Sequence, residues 1–169
     1  MPMLCRPMFL GARIPVASSV RREPRPVEAQ RPRIAVVDDD RSCLQLVREL
    51  LEDEGYEVST LDDLREGYQF IKACQPDLVV LDLIQDRKPV GLGVLAAVAE
   101  DEHLRGVPLI VVSADALRLR HLRRGLQDEG VAILSKPFDL QALVDLVRQC
   151  LLRAGPLHTL PVDEGYHRA

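Results

Sequence analysis

The sequence has no tryptophan and only three phenylalanines and three tyrosines. So few flat rings leave little to stack against nucleobases, and a nucleic-acid interface wants such platforms beside a basic stripe. Cysteine is also sparse: Cys5, Cys43, Cys74 and Cys150 lie far apart and form no Cys-x-x-Cys pair. A disulfide framework in a chain of this length needs more of them, which points to a reducing, cytoplasmic setting. His103, His121, His158 and His167 are equally scattered and offer no zinc spacing. No uninterrupted apolar run reaches the roughly 18 residues that a membrane span needs.

What is present suits one domain with chain to spare: 169 residues, 47% hydrophobic and 28% charged. The charge is unevenly spread. Residues 1–33 carry seven arginines against two glutamates, whereas the remainder carries 24 acidic and 15 basic groups. A body that acidic repels a phosphate backbone, a second argument against direct nucleic-acid binding.

Residues 1–32 also hold six of the twelve prolines and show no sustained periodicity. They cannot bury enough apolar surface to offset the entropy of ordering, so a disordered Arg/Pro-rich N-terminal arm is expected. Its apolar stretches around Met3–Leu4 and Met8–Ala12 are broken by Arg6, Pro7 and Arg13 and do not make a signal peptide. Residues 154–169, with two prolines and two glycines, read as a flexible C-terminal tail. The domain itself is expected over 33–153.

Within it, short β-branched runs alternate with amphipathic stretches. Strands are expected at Arg33–Val37, Tyr56–Thr60, Leu78–Leu81, Pro108–Val112 and Val131–Leu134. Several are apolar throughout, as when helices cover both sheet faces. Leu44, Val47, Leu50 and Leu51 fall at helical spacing, with Gly55 as the stop. Asp62 or Asp63 caps a second helix running to about Cys74, and Leu92–Asp101 supplies a third. Leu119, Leu122 and Leu126 stripe a fourth, and Asp139 caps a fifth buried through Leu143, Val144, Leu146, Val147 and Cys150. Five βα units without a glycine-rich fingerprint predict an α/β fold. It is a flavodoxin-like (βα)5 domain with a five-stranded parallel sheet, order 2-1-3-4-5, and helices on both faces.

In such sheets ligands bind beyond the carboxyl ends of the strands, where the order reverses. Strand one runs into Asp38-Asp39-Asp40, strand three ends in Asp82, strand four in Ser113, and strand five continues into Lys136-Pro137. Aspartate after a strand is often only a helix cap, but here four strand ends bear complementary groups. Carboxylates crowded within about 4–6 Å raise one another's pKa unless positive charge intervenes. Lys136 offsets part of that charge, and a hard divalent cation with oxygen ligands, Mg²⁺ foremost, offsets the rest. Open positions on Mg²⁺ suit phosphate oxygens, and a carboxylate can itself attack phosphorus.

Taken together, Val36-Val37-Asp38-Asp39-Asp40, Pro76 to Asp82, Val111-Val112-Ser113-Ala114 and Ser135-Lys136-Pro137-Phe138 resemble the receiver domain of two-component response regulators. The resemblance covers about Pro32 to Leu152. It implies that Asp82 is the phosphoacceptor, charged by a histidine kinase, a histidine phosphotransfer protein or a small phosphodonor. It also implies that Asp39, Asp82 and the Ile84 carbonyl oxygen bind Mg²⁺, with Asp38 acting through water. Ser113 would contact and report the phosphoryl group, Lys136 would pair with it, and small Ala114 would leave access for the donor. The Lys136-Pro137 bond is expected to be cis, as in similar proteins. Of the three consecutive aspartates, the pair directly after the strand is Asp38 and Asp39, which leaves Asp40 as a loop residue or a helix cap.

Three positions depart from the family pattern. Asp86 stands where similar domains carry proline, four residues after the phosphoacceptor. The glycine that follows arrives one residue late, as Gly91, so Gln85–Val90 should form a longer, charged loop. Ile133 replaces the aromatic ring that swings inward on activation in similar domains. Arg118, Arg120, Arg123 and Arg124 make the fourth helix basic, a solvated face or a docking surface. Cys43 is expected to be a small buried side chain rather than a redox sensor.

The expected function is a stand-alone signalling switch, not an enzyme beyond its own phosphorylation and dephosphorylation. Its output would pass through contacts with an unknown target protein, without direct nucleic-acid or membrane binding. One rival is a receiver whose chemistry has lapsed into phosphorylation-independent docking. Another is a haloacid-dehalogenase-type phosphatase built on Asp38-Asp39-Asp40, which would leave Asp82 without a role and lacks a downstream acidic pair.

Overall fold

The computed structural model describes residues 31–128 and 131–154. The N-terminal arm, except for its last two residues, and the C-terminal tail beyond Ala154 lie outside them. The chain alternates strictly: β1 (Arg33–Val37), α1 (Arg41–Asp53), β2 (Glu57–Leu61), α2 (Gly67–Cys74), β3 (Leu78–Asp82), α3 (Val90–Glu100), β4 (Leu109–Ser113), α4 (Ala116–Asp128), β5 (Ala132–Ser135) and α5 (Leu140–Arg153). All strand pairs are parallel, and the sheet order is β2-β1-β3-β4-β5, as the sequence predicts.

Period-two alternation divides the strand side chains between two apolar layers. Ala35, Val37, Val79, Leu81, Leu109 and Val111 face a layer completed by Ile71 of α2, Val94, Leu95 and Val98 of α3, and Leu119 and Leu126 of α4. Ile34, Val36, Leu78, Val80, Ile110 and Val112 face the opposite layer with Leu44, Val47 and Leu51 of α1 and Leu143, Val144 and Val147 of α5. Each of the valine, leucine and isoleucine side chains contributes about 1.5–3 kcal/mol through removal from water. Burial on both faces is why β3 and β4 read as unbroken apolar runs.

The helix signals act as expected. Asp40 is the cap of α1, its carboxylate accepting from the N–H groups of Ser42 at 2.9 Å and Cys43 at 3.2 Å. Asp139 caps α5 through Gln141 N–H at 2.7 Å. Gly55, at φ +88°, closes α1 in the left-handed region that favours glycine. Two expectations are corrected. The strands β2, β4 and β5 each begin one residue later than expected, after half-buried Tyr56, Pro108 and buried Val131 respectively. The second helix does not start at its aspartate: Asp63 caps a 3-10 turn, Leu64–Glu66, and α2 proper follows from Gly67. A single Asx cap marks where a turn begins but not its pitch.

Away from the strand carboxyl ends, Asp101 ties α2 to the end of α3. Its side chain is 5% exposed and accepts from Tyr68 Oη at 2.8 Å, Lys72 Nζ at 2.8 Å and His103 N–H at 2.8 Å. Hydrogen bonds from Lys72 and then Tyr68 hold this carboxyl well below the usual carboxylate range. A depressed pKa lends stability that is complete above the unfolded value of about 3.9 and is lost as pH falls through the folded one. Asp101→Asn should therefore cost about 1–3 kcal/mol in urea unfolding at pH 7. The difference from wild type should shrink only below about pH 4; a gap constant from pH 7 to 2 would mean the charge is not what matters.

Candidate functional site

At the amino ends of β1 and β3, Arg33 N–H donates to Asp77 Oδ2 at 2.7 Å and Asp77 N–H donates to the Arg33 carbonyl at 2.7 Å. That exchange helps hold the register in which Val37 pairs with Leu81. Asp38 and Asp82, the next residues, consequently reach the carboxyl edge side by side. Both are buried, at 4% and 5% exposure. Their inner oxygens converge on one cation: Lys136 Nζ lies 2.6 Å from Asp38 Oδ2 and 2.7 Å from Asp82 Oδ2. The outer oxygens are held by backbone donors, Asp38 Oδ1 by Asp40 N–H at 3.0 Å and Asp82 Oδ1 by Ile84 N–H at 3.0 Å.

Lys136 follows β5, anchored by its own N–H donating to the Ser113 carbonyl at 2.9 Å, and the Lys136-Pro137 bond is cis. Burial alone would lower its pKa, but hydrogen bonds and charge from Asp38 and Asp82 outweigh that and hold it above the ordinary lysine value. Asp39 faces solvent, yet partial desolvation, then the charges of Asp38 and Asp82, raise its carboxyl above the usual range. Backbone N–H groups of Asp86 and of Asp39 itself offset part of that rise.

Asp38, Asp39 and Asp82 each offer one carboxylate oxygen, all within 4.8 Å of one another. Three hard oxygen donors of like charge, two of them buried, fit a hard divalent cation such as Mg²⁺. Asp38 and Asp39 stand at this edge, whereas Asp40 turns away to cap α1.

The other expected positions are distributed around the same edge. Ser113 ends β4 fully buried, and its Oγ accepts from Asp115 N–H at 3.2 Å. Ala114 is exposed beside it. Ile133 lies in β5, partly buried against the α2–α4 layer. Ile84 is partly buried, with its N–H on Asp82. Cys43 is half-buried near Asp38; desolvation first, then the Asp38 charge, push its thiol up to about 12, so it is no ready thiolate. On α4, Arg120 is exposed, while the side chains of Arg118, Arg123 and Arg124 lie outside the described residues.

The loop after Asp82 holds what the sequence did not disclose. Gln85 and Lys88 form a two-residue reverse turn, with Gln85 N–H to Lys88 O at 3.0 Å and Lys88 N–H to Gln85 O at 2.8 Å. Its central residues, Asp86 and Arg87, adopt φ +51° and +62°. Such turns favour Asn-Gly, so Asp-Arg gives little signal in the sequence. Gln85 itself is buried at 7% exposure. Beyond the turn, Gly91 packs directly against the Asp82 backbone, where an added Cβ would meet the Asp82 carbonyl oxygen at 2.2 Å.

A doubly covered parallel sheet with an acidic, lysine-bridged pocket at its carboxyl edge defines the flavodoxin-like signalling domains of the 2-1-3-4-5 type. The chain belongs to the response regulator receiver domain family, whose model matches residues 34–148. It is similar to the DNA-binding dual master transcriptional regulator RpaA of Synechocystis, 32% identical over 122 residues, 72% of this chain and 50% of RpaA. The chain thus spans about half the length of that relative. It is also similar to the polar-differentiation response regulator DivK of Brucella ovis, 29% identical over 120 residues, 70% of this chain and 94% of DivK.

Among solved structures, the receiver domain of the sensor histidine kinase PA1611 from Pseudomonas aeruginosa shares the fold at TM-score 0.60 and 23% identity. The match covers 72% of this chain and 98% of that one. That neighbour holds a magnesium ion in its active-site cleft. The relatives are response regulators, signalling proteins rather than enzymes in the ordinary sense. Membership in this family gives the dehalogenase-type reading no support. No helix among the described residues is long and apolar enough to cross a membrane.

Proposed function

We propose that this receiver is a phosphorylation-dependent switch of a two-component system or phosphorelay, with Asp82 as the phosphoacceptor. One observation carries the reading: Asp82 Oδ2 shares the Lys136 ammonium with Asp38 while Asp39 completes an acidic cluster around it. Asp38, Asp39, Asp82 and the Ile84 carbonyl would hold Mg²⁺, which supplies charge neutralisation for phosphoryl oxygens when bound. In phosphorylation an Asp82 carboxylate oxygen forms a bond to phosphorus as the phosphorus–donor bond breaks. The donor group leaves with the electron pair. Lys136 would pair with the transferred phosphoryl group, Ser113 would hydrogen-bond it, and exposed Ala114 would leave the donor's path open.

The donor would be a histidine kinase or a histidine phosphotransfer protein in the cytoplasm. Phosphorylation adds nearly two negative charges, whose contacts with Ser113 and Lys136 would bias a two-state surface read by a target protein. Ile133, lacking an aromatic ring, supports a second reading in which the domain docks without chemistry. Incubation with Mg²⁺ and acetyl phosphate, followed by intact mass, separates them. The switch gives one added phosphoryl group, with acetate released, in wild type and none in Asp82→Asn. Absence of any adduct with acetyl phosphate and with a phosphorylated histidine donor leaves only docking.

A further inference from the structure

Gln85 is a buried polar residue three positions beyond Asp82. Its Oε1 accepts from Leu64 N–H at 2.8 Å, a buried bond across 21 residues to the connection between β2 and α2. Leu64 is itself fully buried, so its N–H depends on that acceptor. The next residue repeats the tie: Arg65 Nη2 donates to Asp86 Oδ2 at 2.7 Å.

On its other side the same segment is tethered to Asp82. Ile84, immediately before Gln85, donates its N–H to Asp82 Oδ1 at 3.0 Å. While Asp82 is a carboxylate that bond is charge-assisted, and such bonds are roughly twice as strong as neutral ones. Phosphorylation changes it of necessity. When one Asp82 oxygen bonds phosphorus, the carboxylate becomes an acyl phosphate. One oxygen then bridges to phosphorus, the other is a neutral carbonyl, and the negative charge resides on the phosphoryl oxygens. Whichever oxygen reacts, Oδ1 no longer offers Ile84 an anionic acceptor. Two consecutive residues, Ile84 and Gln85, thus join a group whose charge the reaction alters to a buried bond on a distant connection.

We propose that phosphorylation of Asp82 is reported at the β2–α2 connection: weakening the Ile84 tether loosens Gln85, and Leu64 N–H loses part of its buried bond. The inference rests on the proposed phosphorylation of Asp82. A two-state surface shifts only by the differential free energy that the two states receive, and here the altered hydrogen bond at Ile84 supplies it. The surface so affected carries Arg65 and Glu66, exposed residues of the 3-10 turn that begins at Leu64.

The test is amide hydrogen exchange of the full chain followed by NMR, with Mg²⁺ present throughout and acetyl phosphate either added in excess or omitted. Intact mass confirms the added phosphoryl group. Leu64 N–H should exchange about fivefold faster in the phosphorylated protein, and Asp82→Asn should show no response. Gln85→Met keeps the length and apolar bulk of the side chain but not the acceptor. Its Leu64 N–H should exchange rapidly in both states, changing by less than about twofold although the phosphoryl group is still added. Equal or slower Leu64 exchange in phosphorylated wild type overturns the inference and leaves Asp82 standing as the phosphoacceptor. A response that survives in Gln85→Met overturns the route through Gln85. Should Gln85→Met fail to fold, the wild-type comparison decides. No phosphoryl group on wild type, from acetyl phosphate or from a phosphorylated histidine donor, overturns both this inference and the reading beneath it.

Discussion

Lys136→Met should destabilise the metal-free protein by about 3–5 kcal/mol. The reason is geometric. Asp38 and Asp82 side chains are 6% and 7% exposed and have one ammonium between them, itself only 20% exposed. Removing it leaves two carboxylates facing each other out of water with nothing to offset their repulsion. Methionine preserves the stem, so the loss reports charge rather than packing. Because burial's lowering of the Lys136 pKa is outweighed by Asp38 and Asp82, its folded value lies above the ordinary one. The stability it lends is complete below the unfolded value of about 10.4 and is lost only as pH rises through the folded value.

Urea unfolding in EDTA at pH 7.5 would measure the deficit, and saturating Mg²⁺ should narrow it as the cation takes over neutralisation. Asp82→Asn provides the contrast. It retains the Asp38–Lys136 pair and removes one buried charge, so it should stay within about 1 kcal/mol of wild type. A Lys136→Met protein as stable as wild type in EDTA would mean the carboxylates are solvated and the site is not the one described.

Gly91→Ala should cost about 3 kcal/mol and lower Tm by about 10 °C. A Cβ there would stand 2.2 Å from the Asp82 carbonyl oxygen and 2.6 Å from Leu83 Cα. Both obstacles are backbone, so no side chain can rotate aside. Either α3 slides outward, breaking the Gly91 N–H bond to the Leu83 carbonyl at 3.1 Å, or the end of β3 moves and takes Asp82 with it. The second route displaces the Asp82 carboxylate from Lys136, so acetyl phosphate labelling should fall together with Tm. By contrast, Gly93 has nothing within 4 Å of an added Cβ, and Gly93→Ala should be neutral or slightly stabilising within the helix. Equal stability of the two variants in thermal unfolding would contradict the close approach at Gly91.

Asp139 was legible as a cap, and Asp40 as a cap or a loop residue, because capping is local: the side chain meets N–H groups two and three residues on. The turn at Asp86-Arg87 was not legible, because neither residue prefers a positive φ. It is sustained by Leu64, bonded to Gln85, and Arg65, paired with Asp86, each 21 residues away in sequence. Asp101 gave no signal either, since its partners Tyr68 and Lys72 come from another helix.

By itself, the sequence determined the alternation of strands and helices, the strand order, and the arrival of Asp38, Asp39, Asp82, Ser113 and Lys136 at one edge. Periodicity and strand-end position are properties of neighbours along the chain, and a parallel sheet converts them directly into place. Tertiary structure alone decided that Lys136 bridges Asp38 and Asp82, that Gly91 lies against the Asp82 backbone, and that Gln85 is buried between two loops. Each depends on atoms brought together by packing across the sheet, where distance along the chain carries no information about distance in space.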